Sequence, residues 1–186
     1  SAWPQRVPRR ERAARNGGLI RVPTIHIQLH VDAPSERCFD LSRSIDLHAH
    51  SLGHTRERPV GGILTGLIGM GESVTWQATH FGIRQRLTSR ITAYDRPHHF
   101  RDSMVSGAFR RLDHGHFFEG DGRGGTVMRE VFDFDAPFGL IGRIVERMFL
   151  ARYMRELLIG RSAAVKRIAE SEDWHQYLEP QTRPRN

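Results

Sequence analysis

The sequence predicts an α+β domain in which a curved antiparallel β-sheet wraps around a long C-terminal α-helix, with two short helices after the first strand. Three observations predict it. The stretch "TIHIQLHV" at residues 24–31 alternates apolar and polar side chains. Further alternating segments, separated by turn residues, run from 72 to 134, and from Pro137 onward the apolar spacing changes to three and four.

Each element follows from its own residues. Ile25, Ile27, Leu29 and Val31 alternate with His26, Gln28 and His30, the period of a strand with one buried face. In "DAPSERCFDLSRSIDLHAHSL" the period changes. Asp32 or Ser35 suits a cap, Pro34 suits a first turn, and Phe39 and Leu41 begin a helical stripe. Then "ESVTWQATH" meets "GIRQRLTSRITAY" at Phe81 and Gly82, "DRPHH" turns into "FRDSMVSGAF", and "EGDGRGG" joins "RLDHGHFF" to "GTVMREVFDF". In the last element Leu140, Ile141, Ile144, Val145, Met148, Ala151, Leu158, Val165 and Ile168 form the stripe, with Arg143, Glu146, Arg147 and Arg155 between them. Gly160 is a place for a kink. Continuous to about Glu172, the helix would be ~48 Å long, and no other element is long enough to cover the sheet.

The chain has 186 residues, enough for one core. We divide it into a basic arm at 1–21, a domain at 22–172 and a tail at 173–186. Of the net charge of +7, the arm contributes six arginines against Glu11, and the last twelve residues add Arg183 and Arg185 against Glu179. The body is nearly neutral, which argues against a nucleic-acid partner, since a broad basic face is missing. "VGGILTGLIGMG" and "LIGRIVERMFLARYMRELLIG" are too short or too charged for stable membrane insertion. A lone cysteine, Cys38, fits a reducing compartment, so a soluble, cytoplasmic protein is expected.

The order of elements, opened by "IHIQLHVDAPSERCFDL" and closed by "GGTVMREVFDFDAPFGLIGRIVERMF", resembles the START-like, or SRPBCC, superfamily of helix-grip proteins. That superfamily includes polyketide cyclases, lipid-transfer domains and birch-pollen-type allergens. The resemblance covers residues 22–170, and "GMGESVTWQATHFG" with "FRDSMVSGAFRRLDHGHFF" is similar to its bacterial ligand-binding subgroup. It implies a helix-grip fold and a small hydrophobic ligand, lipid-like or polyketide-like, held between sheet and helix, without metal or cofactor. It also implies an alternative, a cyclase- or aromatase-type enzyme using acid and base side chains in the same cavity.

Period two assigns the inward residues. Trp76 and His80 share a face with Val74, and Ile83, Gln85, Leu87, Ser89 and Ile91 share one face of the next strand, opposite Arg84, Arg86, Thr88, Arg90 and Thr92. A buried Gln85 or Ser89 costs about 1 to 3 kcal/mol unless it is hydrogen-bonded. A turn centred near Gly122 would pair His116 with Met128, His114 with Glu130 and Leu112 with Phe132. The expected cavity wall is Trp76, His80, Gln85, Leu87, Met104 and Leu112, then His114, His116, Met128, Glu130 and Phe132, with Ile144 and Met148 from the helix.

Three chemistries fit His114, His116 and Glu130. A carboxylate can orient two imidazoles as a structural network, the three can orient a ligand's hydroxyl or carbonyl, or they can complete a three-ligand zinc set. As an enzyme's acid and base, Glu130 with His114 or His116 is the candidate pair. His48, His50 and His54 read as solvated or groove-edge residues, and His98 and His99 as exposed. No phosphate loop, nucleophile elbow or base beside Cys38 is present. The glycine-rich segment 51–71 reads as a gate, with Ile63, Leu64, Leu67, Ile68 and Met70 touching ligand or the helix near Met148, Phe149 and Tyr153, or else as a short buried helix.

Overall fold

The computed structural model describes residues 24–135 and 143–179, without the side chains of His54 and of 143–148. The arm at 1–21 and the start of the expected helical stripe, Leu140 and Ile141, lie outside the described residues. Seven antiparallel strands form one curved sheet in the order β1-β7-β6-β5-β4-β3-β2. They are β1 (Ile25–Val31), β2 (Arg58–Gly62), β3 (Ser73–His80), β4 (Ile83–Asp95), β5 (His99–Ser106), β6 (Arg111–Gly120) and β7 (Thr126–Asp135). Helices α1 (Ser35–Ser42) and α2 (Ile45–Ser51) follow β1, α3 (Arg143–Ala169) follows β7, and α4 (His175–Leu178) closes the described chain.

Most strand expectations hold in position and face, because period two is strict wherever one face is buried. On β6 and β7 the inward, buried side chains include Leu112, His114, His116 and Phe118 against Met128, Glu130, Phe132 and Phe134. Their register differs from the expected one by two residues. His116 faces Glu130, His114 faces Phe132 and Leu112 faces Phe134. Asp121 is the cause: its Oδ1 accepts from the backbone N–H groups of Arg123 (2.7 Å) and Gly125 (2.9 Å), which closes a loop centred on residue 123. A shift of two leaves every side chain on its own face.

Segment 51–71 departs further from expectation. Its middle is an edge strand, β2, which pairs only with β3 and so tolerates Pro59 without a lost ladder bond. Gly62 turns the chain out at φ 71°, where a Cβ would meet the Ser73 carbonyl oxygen at 2.1 Å. Residues 66–68 are strapped to the α1–α2 junction: Ile45 N–H donates to Gly66 O, Gly66 N–H to Asp46 Oδ2, and Ile68 N–H to Arg43 O. Ile68 is buried, whereas Leu64 and Met70 face solvent. No helix forms over residues 61–71. Ser44 caps α2 by accepting from Leu47 N–H, and α1 begins at Ser35 with Pro34 at the N-cap and no side-chain cap, in place of the expected Asp32 or Ser35.

Helix α3 passes through Gly160 without interruption. Leu158, Ser162, Val165 and Ala169, spaced at four, three and four, turn inward and are buried. Along the open edge of β1, Arg155 donates to His26 O, Lys166 to His30 O, and Glu170 accepts from Asp32 N–H, so edge groups are covered by the helix. The C-terminal tail does not hang free as far as 179. Arg37 stacks over Trp174 at 4.5 Å, and Trp174, Tyr177 and Leu178 pack on the core.

Two apolar clusters result. The larger lies under α1, where Phe39 meets Tyr94, Phe100 and Phe118 edge-on at 5.3 to 5.5 Å. The smaller joins Ile25, Leu112, Phe132, Phe134 and Leu158. Cys38 is fully buried in the first, and burial pushes its thiol up to about 11. The native protein should therefore give no thiol reaction with an aromatic disulfide reagent at neutral pH, while denaturant releases one thiol per chain. Prompt native reaction would contradict this packing.

Candidate functional site

Bordered by residues of both clusters, a cavity of about 370 Å³ remains between the sheet and α3. Its apolar lining comes from strands and helix alike: Trp76, Ala78, Leu87, Leu112 and Phe132 on one side, Leu150, Met154, Leu157 and Leu158 on the other. The mouth is framed by the β3–β4 hairpin tip and α3. Phe81, at φ 53° and half exposed, lies 5.5 Å from Phe149 and 4.7 Å from Tyr153, ring to ring. Of the residues 63–70 expected to touch either ligand or helix, Ile68 lines the cavity, while the contact with this part of the helix is made by Phe81.

Polar groups gather on three parts of the wall. His48 stacks on Trp76 at 4.0 Å and bonds Glu57 Oε1 through Nε2 at 3.0 Å. His80 Nδ1 and Tyr153 Oη are 2.8 Å apart. Asp102, His114 and Arg161 line the remainder, and Arg161 donates to Ser42 O at 2.8 Å.

Behind Asp102 and His114 lies a buried network. His114 Nε2 donates to Glu130 Oε2 at 2.7 Å, and Ser162 Oγ donates to Glu130 Oε1 at 2.6 Å. His116 Nε2 faces Asp102 Oδ1 at 3.3 Å, and its ring stacks on Phe100 at 4.2 Å. Its Nδ1 is buried without a hydrogen-bond partner. Burial tends to raise the Glu130 carboxyl, yet the His114 hydrogen bond, the two imidazoles and the Arg161 guanidinium hold it well below the usual range. The same opposition leaves Asp102 at about 2, with the His116 hydrogen bond the leading counterweight to burial.

The cavity wall contains Trp76, His80, Gln85, Leu87, Leu112, His114 and Phe132 of the sequence-assigned residues. Four others stand elsewhere among the described residues. Glu130 has both oxygens engaged within the network, His116 is fully buried behind Asp102, Met128 lies under Ser42 in the larger cluster, and Met104 packs on the smaller one. Ile144 and Met148 lie outside the described side chains. Of the candidate acid–base residues, His114 lines the cavity with its Nε2 bonded to Glu130, while Glu130 and His116 lie behind the wall and are already hydrogen-bonded.

The sequence reading missed Asp102, Glu57, Arg161 and Ser162, and it named His48 only as a solvated or groove-edge residue and Tyr153 only as a helix contact of segment 51–71. Signals existed for most. Asp102 is two residues from the buried Phe100 on β5, His48 is three from the buried Ile45, and Arg161 and Ser162 are three and four from Leu158. Glu57 follows Arg56, whose φ is 54°, in a stretch with no periodicity to mark it.

No family model matches the chain, and no curated protein matches it. Solved structures do. A Thermus thermophilus protein superposes with a TM-score of 0.61 at 20% identity, over 77% of this chain and 97% of that one. A START superfamily protein from Mycobacterium smegmatis gives 0.58 at 9% identity, over 78% and 98%. An aromatase/cyclase from a Streptomyces species gives 0.58 at 14% identity, over 80% and 93%. The fold is the START-like, helix-grip fold. Among the described residues no helix is long and apolar enough to cross a membrane.

Burial lowers the pKa of His48 and of His116, the latter to about 4. Both stay neutral in the fold at a pH where the unfolded chain, with imidazoles near 6.5, takes up protons. Their contribution is therefore complete above about pH 6.5 and declines as pH falls toward 4, with the depressed Asp102 and Glu57 carboxyls extending the loss below that. Urea unfolding should show stability falling by roughly 2 to 3 kcal/mol between pH 7 and pH 4. A flat profile would contradict the neutral, buried placement of these rings.

Proposed function

We propose that this protein binds a small, largely apolar molecule, lipid-like or polyketide-like, in the cavity between the sheet and α3. The observation that carries this reading is the cavity itself, about 370 Å³ with mainly apolar walls and polar groups at separate points. Small-molecule sites have this make-up, with volumes of roughly 300 to 1,000 Å³. The volume suits a compact ring system or a medium-length chain better than a whole phospholipid. Burial of apolar area, at about 25 cal/mol per Å², supplies affinity. Orientation comes from the His80–Tyr153 and His48–Glu57 pairs and from Arg161, whose guanidinium is suited to a carbonyl or carboxylate on the guest.

A cyclase- or aromatase-type reaction in the same cavity is the second reading. Its support is that imidazole, phenol and carboxylate groups line the wall at His80, Tyr153, Glu57 and Asp102. The low pKa of Glu130 and its two hydrogen bonds speak against that residue as the acid.

Titration with an apolar naphthylamine dye tests the binding reading. One dye should bind per chain, quench Trp76 and be displaced by extracts containing the natural guest. Ala78→Phe, which places a ring inside the cavity, should weaken the dye at least about tenfold, or 1.4 kcal/mol. Val105→Ala, on the exposed outer surface, should leave it unchanged. Equal affinity in all three proteins would place the dye elsewhere and overturn the reading.

A further inference from the structure

We infer that Asp102, His114 and His116 form a binding site for a divalent first-row transition ion, zinc or ferrous iron, opening onto the cavity. This goes beyond apolar binding and does not depend on it. It also departs from the expectation of a metal-free fold, and from the ligand set that sequence reasoning offered, in which Glu130 was the carboxylate. One donor atom from each of the three residues lies within 4.8 Å of the other two. Asp102 Oδ1 is 3.3 Å from His116 Nε2 and 3.9 Å from His114 Nδ1. Donors held at about 2.0 to 2.2 Å from one ion are roughly 3.0 to 3.5 Å apart, so small side-chain movements would complete the set.

The surroundings carry the argument further. Metal-bound imidazoles hand their second ring nitrogen to a carboxylate, and Glu130 occupies that place. It accepts from His114 Nε2 at 2.7 Å, which leaves His114 Nδ1 as a lone pair facing Asp102. On His116 the proton would move from Nε2 to Nδ1, the buried atom that otherwise lacks a partner, 3.8 Å from Glu130 Oε2. Both rings remain neutral and both donor atoms turn to the ion. Ser162, donating at 2.6 Å, fixes the other Glu130 oxygen. A structural salt network accounts for the His114–Glu130 pair, but it leaves His116 Nδ1 unexplained. Two imidazoles and one carboxylate favour zinc or iron over magnesium or calcium, which take oxygen donors. Asp102 and His114 both line the cavity, so a further coordination position points toward its occupant.

The test uses the full chain, freed of metal with a chelator and titrated with Zn²⁺ and Co²⁺. One ion should bind per chain, and X-ray absorption of the zinc form should show two imidazoles and a carboxylate oxygen. Asp102→Asn should weaken binding at least about tenfold, and Glu130→Gln, which touches no ion, by about 10- to 100-fold. His175→Gln removes an exposed histidine flanked by Glu172 and Glu179 and should change nothing. The proposal is overturned by an absence of stoichiometric binding, by a coordination shell without two imidazoles, or by an affinity that H175Q rather than D102N reduces. The X-ray measurement is made on unaltered protein, so it decides the matter even if a variant fails to fold.

Discussion

A single buried carboxylate ties the two layers of this molecule together. Glu130 stands midway along β7, the neighbour of edge strand β1, and its oxygens accept from His114 on β6 and Ser162 on α3. A carboxylate so placed is destabilising unless both oxygens are satisfied, so the helix cannot slide or rotate without leaving a buried charge short of partners. This fixes which turn of α3 lies on the sheet. Below it, Val165, Ile168 and Ala169 join the larger apolar cluster, and above it Leu158 joins the smaller one.

The cavity follows from that anchor. The helix covers β1 and β7 closely, and its bonds to His26 O and His30 O hold it along that edge. Strands β3 to β5 curve away on the other side, and the side chains that reach inward there, such as Ala78, Gln85 and Ser89, are too small or too polar to fill the space. Trp76 and His80 line this space, one stacked on His48 and one bonded to Tyr153, so residues that look out of place in an alternating strand are the walls of an interior. Phe81 and Phe149, both more than half exposed, mark where that interior meets solvent.

Much of this was legible in the sequence because period two and period 3.6 report burial directly. The strands other than β2 and the inward faces of β3, β6 and β7 follow from alternation, and the two short helices from the change of period after Val31; on β4 Ile83, assigned inward, is instead 63% exposed beside the hairpin tip. Strand β2 was hidden by Pro59 and by its glycines, which look like loop chemistry until an edge position makes them acceptable. The hairpin register escaped by two residues because the loop centre is set by Asp121 bonding to backbone, a contact that spacing does not encode. The candidate site was half visible. His114, His116 and Glu130 stood out as polar residues on an apolar face, but their division of labour depends on Asp102 from β5 and Ser162 from α3, which only the tertiary fold brings alongside.

The most direct measurement of the central role of Glu130 is a double-mutant cycle between β7 and α3. Urea unfolding of the unaltered protein, Glu130→Leu, Ser162→Ala and the combined variant gives the coupling energy of the two side chains. If the carboxylate anchors the helix, the cycle should yield a coupling of at least about 1 kcal/mol, with Ser162→Ala nearly harmless once Glu130 is gone. Additive effects, within roughly 0.3 to 0.5 kcal/mol, would contradict the account and leave α3 held by apolar packing and its other hydrogen bonds.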